Sequence, residues 1–484
     1  MITRHVIEVP NPDGSQRRVH YRRAGAGPPV LLVHQSPRSS AEYLPLIARW
    51  ADHFTVIAPD TPGFGDSEPL PLDRPECEDY ADAILAFLET LGLAQVGAYG
   101  FHSGAILLVT AARRRPERFS AIACGGYAVW TEAEKAEFGA AYTPDFLPQP
   151  YGEHLAWLWG RIQEQSWFFP WYRPGNDNRL GFASIAPEQA QPIVMDCLAA
   201  GNGFTRGYAA VLRARRDVPP PGAPTPPVLV SAYDGDPLKA HLDRLGEVPP
   251  VWRIRPVATA AELEAEALAW LKAHPAPEAP LRETGVGEGF VPVAAAGFSG
   301  LIHWKGDGDL FLHAPGSALS AAPAGTLALD LPGHGLSDDW PDAAARVGAW
   351  AEVVEAALAA LGARPARVEG AGWSVPLAAE VARRLGAAFV PRPLPRGDRA
   401  DWRARGMPDL APDWAGTHLL RAWRMLRAET CFEPWFAASA ATARRFDPAE
   451  LAPDRLAVRH LALLRARAAR PLLAACLDAA PPAT

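Results

Sequence analysis

Short apolar runs recur along the chain at residues 30–33, 55–58 and 96–99, separated by longer segments that are in part amphipathic, such as 81–91. Alternation of fully apolar runs with helical segments predicts a parallel sheet with helices on both faces. Further runs at 119–124, 227–232 and 251–254 extend that sheet. Ahead of it, residues 1–24 read as two strands joined at Asn11-Pro12-Asp13-Gly14, where Asp-Gly between alternating segments signals a hairpin. An insertion rich in Trp and Phe lies between the runs at 119–124 and 227–232. From 273 to 289 the pattern breaks into Pro, Gly and charge, as a linker does, and beyond it the alternation begins again. The division expected is 1–274, a linker at 275–289, and 290–484.

The restart is a repeat. Asp60-Thr-Pro-Gly-Phe-Gly-Asp-Ser67 recurs as Asp330-Leu-Pro-Gly-His-Gly-Leu-Ser337, an offset of 270. Gly152-Glu-His-Leu155, Trp159 and Pro170-Trp171 recur as Gly416-Thr-His-Leu419, Trp423 and Pro434-Trp435, an offset of 264. At that offset, Thr484 corresponds to position 220, so the second copy lacks everything aligned with 221–274, including the last two strands. Its sheet is expected to end on an open edge, which predicts that it packs on the first copy as an intramolecular pseudo-dimer or on another chain as a homo-oligomer.

Composition narrows the function classes. With 49% hydrophobic residues and sixteen Trp in 484, the chain can bury large cores. A formal net charge of −7 gives no basic surface for nucleic acid or anionic membrane, which leaves a small-molecule substrate as the expected partner. No run of about eighteen apolar residues and no leader-like start is present, so a cytoplasmic location is expected. Five scattered cysteines without a CxxC pair predict neither a disulfide framework nor a zinc site. No metal-ligand cluster or phosphate-binding loop appears, so neither a metal nor an organic cofactor is expected.

Four motifs carry a resemblance: His34-Gln-Ser-Pro37, Asp60 to Ser67, Gly100-Phe-His-Ser-Gly104 at a strand-to-helix turn, and Tyr233-Asp-Gly-Asp-Pro237 after a late strand. Together they resemble the α/β-hydrolase fold superfamily over residues 1–272 and, more weakly, 290–484. The resemblance implies two α/β units, each a mostly parallel sheet flanked by helices, with helical caps at 127–215 and 398–484 and the last strands missing from the second. In the family, Gly-x-nucleophile-x-Gly forms a sharp turn that projects the nucleophile at the top of the sheet. Here that position is His102. A register shifted by one would nominate Ser103, but Ala112, Arg114, Pro116-Glu-Arg118 and Phe119 fit the family's spacing when counted from His102. The same count puts Gly372, with no side chain to react, at the turn of the second copy.

Asp236 matches the family's acid, whereas no Gly-His motif follows the run at 251–254 to supply the usual histidine. The resemblance therefore implies an Asp236–His102 dyad, with His102 acting as base on water or an acidic substrate proton, or as a covalent nucleophile. Backbone N–H groups of Gln35 or Ser36, and of Ser103, are the expected oxyanion donors, while His34 reads as structural. In the cap, Trp159, Trp171 and His154 are candidate substrate contacts, although core packing is the favoured reading for most of the aromatic residues and the counterpart of His154 in the second copy, His418, favours a structural hydrogen bond over catalysis. These readings imply a hydrolase or lyase acting on an ester, amide, carbon–carbon bond or other small carbonyl compound, with the second copy a pseudoenzyme domain. The rival reading is a noncatalytic ligand-binding or scaffold protein.

Overall fold

The apolar runs at 30–33, 55–58, 96–99, 119–124 and 227–232 become strands buried on both faces, where β-branched and leucine side chains gain roughly 1.5–3 kcal/mol apiece by leaving water, whereas the run at 251–254 falls in a largely exposed edge strand. The structure is a computed structural model that describes residues 1–181, 183–282 and 285–481. Its contacts divide the chain into two units, Met1–Leu147 with Gly160–Gly285 and Pro148–Trp159 with Val286–Thr484.

In the first unit, strands β1 (Thr3–Pro10) and β2 (Gln16–Ala24) form the hairpin expected at Asn11 to Gly14, and Gly14 takes the positive φ of 85° that its turn requires. They are followed by β3 (Pro29–Val33), β4 (Thr55–Pro59), β5 (Val96–Phe101), β6 (Phe119–Gly125), β7 (Val228–Tyr233) and β8 (Trp252–Val257). The sheet order is β1-β2-β4-β3-β5-β6-β7-β8, parallel from β4 onward. One face buries Leu32, Val56 and Tyr99 against Trp50 and against Leu263 and Leu271 of the helix Ala260–Ala273. The other lies under the helices Cys77–Thr90 and Ser103–Arg114, whose inward positions are all apolar or small.

The second unit holds β9 (Glu288–Ala295), β10 (Phe298–Lys305), β11 (Leu310–Leu312), β12 (Leu327–Leu329), β13 (Arg367–Gly370) and β14 (Ala388–Val390). Their order, β14-β13-β11-β12-β10-β9, repeats that of the first six strands of the first sheet. The sheet stops at β14, a three-residue edge strand with Ala388 and Phe389 exposed. Two features differ from the sequence boundaries. The helix Ala469–Ala479, which falls within the expected cap at 398–484, buries Leu472, Leu473 and Cys476 in the core around Trp350 and Leu377, because its apolar stripe is continuous with that core. Residues 148–159, which fall within the expected first cap, belong to the second unit. Pro150 O accepts from Trp423 Nε1 at 3.1 Å and from Arg427 at 2.8 Å, and Trp159 Nε1 donates to Trp414 O at 2.9 Å.

Candidate functional site

β5 ends at Phe101 and the next helix begins at Ser103, so the chain must turn from strand to helix within one residue. That residue is His102, at φ 49°, ψ −110°, a region that non-glycine residues occupy only when their surroundings impose it. The flanking glycines make room: a Cβ on Gly100 would lie 2.5 Å from the Gly104 backbone, and one on Gly104 would lie 2.0 Å from Val33 O. His102 N donates to Gly125 O at 2.7 Å, tying the turn to the end of β6. In the second unit Gly372 follows β13 at φ 52°, a conformation that costs glycine little.

Asp236 comes from the turn after β7. Its side chain is fully buried and accepts from Leu238 N at 2.8 Å and from His102 Nε2, which lies 3.1 and 3.2 Å from the two carboxylate oxygens. The imidazole also stacks on Phe101 at 4.0 Å and keeps 26% of its side-chain surface exposed. Gly126 is what lets the pair meet, since a Cβ there would lie 2.4 Å from the imidazole and 2.8 Å from Asp236. Nothing in the sequence pattern pointed to it.

His102 opens on a cavity of about 50 Å³ lined also by Ser36, Ser103, Trp130, Tyr142 and Tyr208. In this conformation it holds only a compact ligand, well below the roughly 300–1,000 Å³ of drug-sized sites. Neither expected donor at residues 35 and 36 is open. Gln35 N donates to Glu42 Oε1 at 2.8 Å and its amide to Oε2 at 2.9 Å, while Ser36 N donates to Ser103 Oγ at 2.5 Å. The Ser103 hydroxyl thus sits against the donor that an oxyanion would use. Among the described residues its hydroxyl bonds to Ser36 and no base touches it, which argues against Ser103 as nucleophile. Ser103 opens the helix Ser103–Arg114, whose first N–H groups have no acceptor within the helix.

The cap candidates do not reach this cavity. His154 is buried in the second unit, accepts from Gln149 N through Nδ1 at 3.0 Å and meets the Trp423 ring edge at 4.9 Å; burial lowers its pKa to about 4. Trp159 is 2% exposed and faces His418, with Gly416 leaving space for its ring. Trp171 lies in the first unit against the aromatic cluster of Phe138 and Tyr142. Aromatic content marked the cap but could not say which rings face a ligand, because core and cavity want the same residues.

Other histidines are structural. His34 Nε2 accepts from Thr61 N at 3.0 Å, and His241 Nδ1 accepts from Val129 N at 3.0 Å, with burial lowering the pKa of both. His20, Asp60 and Asp66 come close enough to consider a metal, but Asp60 already accepts from His20 Nδ1, Ser40 and Asp66 N, with Arg22 at 3.8 Å. The same buttress recurs in the second unit as His303 Nδ1 and Asp330 at 2.8 Å. No helix among the described residues is long and apolar enough to cross a membrane.

Behind the mouth of the site, Glu42 supplies a pH prediction. Its side chain is 8% exposed, and burial raises its pKa to about 7 despite Arg38 at 3.9 Å and the Gln35 bonds. The folded state therefore binds this proton more tightly than the unfolded chain. The associated stability is present below the ordinary glutamate range and lost as pH rises through about 7. Urea unfolding at pH 5 and pH 8 is expected to show Glu42→Gln losing less stability across that window than wild type, by up to about 3 kcal/mol. Equal losses would mean that Glu42 ionises at its ordinary pH.

A family model described as alpha/beta hydrolase fold matches residues 28–243. Haloalkane dehalogenase 2 of Mycobacterium tuberculosis is 33% identical over 118 residues, 24% of this chain and 41% of that protein. The 2-(acetamidomethylene)succinate hydrolase of Mesorhizobium japonicum is 34% identical over 116 residues, again 24% of this chain and 41% of that protein. The chain thus matches about two fifths of the length of these relatives. Among solved structures, a thermophilic esterase from Thermogutta terrifontis with malate bound aligns at 19% identity over 56% of this chain and 99% of that one, with a TM-score of 0.43.

Proposed function

The chain belongs, through residues 28–243, to the α/β-hydrolase fold superfamily, and from that premise we propose that its first unit is a hydrolase or lyase in which His102 is the working residue. The observation that carries the reading is the His102–Asp236 pair, held at a strained turn and facing a cavity. A carboxylate only accepts, so its hydrogen bond places the imidazole proton on Nε2 and leaves Nδ1 as a proton acceptor. Nδ1 makes no hydrogen bond among the described residues. His102 then takes a proton from water or from an acidic position of a small carbonyl compound, and Asp236 stabilises the imidazolium that results. The two relatives named above carry hydrolase and dehalogenase activities in their names, which supports water as a co-substrate.

On this reading the second unit is a degenerate copy, a pseudoenzyme domain produced by tandem duplication. Supporting it are the repeated strand order and Gly372, which offers no side chain at the corresponding turn. The division at 1–274 and 290–484 and the pseudo-dimer of the two halves belong to the same proposal. The noncatalytic reading has its own support in the Ser103 hydroxyl, which holds the Ser36 donor. Turnover of activated esters, thioesters and β-diketones by the wild-type protein separates the two. Measurable turnover favours the enzyme, and the reactive compound names the reaction class. No turnover above background, with thermal stabilisation by the same compounds, favours a binding protein.

A further inference from the structure

One side chain beside the cavity has no explanation in the fold. Arg161, on the helix Glu153–Gln165, is 2% exposed, yet Nε, Nη1 and Nη2 all lack a hydrogen-bond partner among the described residues, and no carboxylate pairs with it. Guanidinium is charged at every physiological pH and carries five N–H donors, so burying it with none satisfied opposes folding strongly. Rings surround it instead: its central carbon lies 5.2 Å from the centroid of Trp171, 5.7 Å from Phe204 and 6.0 Å from Tyr142. Cation–π contacts favour the charge but leave its in-plane N–H groups without acceptors. The nearby helix Pro187–Ala200 contributes Asp196, but that carboxylate is held by Arg38 at 2.9 Å and Ser39 at 2.7 Å.

Two phenols stand between this cation and the site. Tyr142 and Tyr208 both line the cavity that His102 faces, and their hydroxyls meet at 3.3 Å, long for an O–H···O bond and easily exchanged for a better acceptor. The cavity therefore has a proton acceptor, His102, in one part of its wall and a pair of donors backed by an unneutralised cation in another. We propose that Arg161, with Tyr142 and Tyr208, forms the binding site for a carboxylate group of the ligand, so that this protein acts on a small carboxylic acid whose reactive end meets His102. The inference rests on the site reading above for the role of His102, but not for the carboxylate itself. A carboxylate takes the phenolic O–H groups as donors and gains from the positive charge of the guanidinium behind them, a gain that a neutral group of the same size lacks. An unpaired buried charge kept in a cap is also what a site gives up in stability for recognition.

The test uses the full-length protein with propionate and propionamide, which match in size and differ in charge, read by calorimetric titration and thermal shift. Wild type is expected to bind propionate at least tenfold more tightly than propionamide, and Arg161→Met to lose that preference while remaining folded. Arg161→Lys is expected to keep a weakened preference, because the charge persists and the planar group packed on the rings of Tyr142, Trp171 and Phe204 does not. Arg161→Gln serves the same purpose as the Met variant if the latter fails to fold. Equal affinity of wild type for the two compounds, a preference that survives in both uncharged variants, or equal stabilisation by chloride would each overturn the assignment. Binding needs no turnover, so a wild type that prefers propionate but converts no substrate upholds this site and sinks the enzymatic reading. One that hydrolyses neutral esters with no preference for propionate does the reverse.

Discussion

His102→Ala is expected to lower kcat/KM for any substrate found in the panel by roughly 10²- to 10⁴-fold, the range over which a positioned general base contributes. Far-ultraviolet circular dichroism should stay unchanged, because Asp236 keeps its bond from Leu238 N and Ala is small enough for the turn. Asp236→Asn is the sharper test. The amide is isosteric with the carboxylate but can donate, and an amide N–H directed at Nε2 would move the imidazole proton to Nδ1, the atom proposed to accept. A loss of similar size from Asn, with the fold intact, is therefore expected. Full activity in Asp236→Asn would show that the pair holds the turn together without taking part in proton transfer. Full activity in His102→Ala would remove the catalytic proposal altogether.

The second large effect concerns stability. Trp159→Ala is expected to destabilise the second unit by about 3–5 kcal/mol, the usual cost of removing a buried large aromatic side chain. The change deletes the hydrogen bond to Trp414 O and leaves a void beside His418 and Gly416. KM should not change, because Trp159 does not line the cavity beside His102. Urea unfolding followed by tryptophan fluorescence, run alongside steady-state kinetics, checks both halves of the statement. A raised KM with an unchanged unfolding midpoint would return Trp159 to the ligand site that the aromatic composition of the cap first suggested.

What the sequence could disclose followed a physical divide. The strands were legible because residues buried on both faces leave continuous apolar runs, as at residues 30–33 and 96–99. His102 was legible as the turn residue because glycines at 100 and 104 are demanded by close backbone approach, and because the following helix fixes the count. Asp236 followed from its place after a late strand. The occupancy of the donors at Gln35 and Ser36 was not legible, since it depends on Glu42 and on which way the Ser103 hydroxyl turns. Arg161 was invisible for a related reason. An arginine on an amphipathic helix reads as a solvated residue, and only the burial of all three of its nitrogens makes it unusual. For His154 and Trp159 the sequence left substrate contact and structural packing both open, because the repeat shows where equivalent residues recur, not which side of the segment they serve.

The assignment of Pro148–Trp159 to the second unit carries an implication for how such a protein can change. A single break in the stretch between the two units would separate them at Val286. Here, a product beginning at Val286 would lack the carbonyl of Pro150 for Trp423 and Arg427, and the ring of Trp159 that sits against Gly416. A viable split, a circular permutation or a domain transplant would have to carry those twelve residues with the downstream unit.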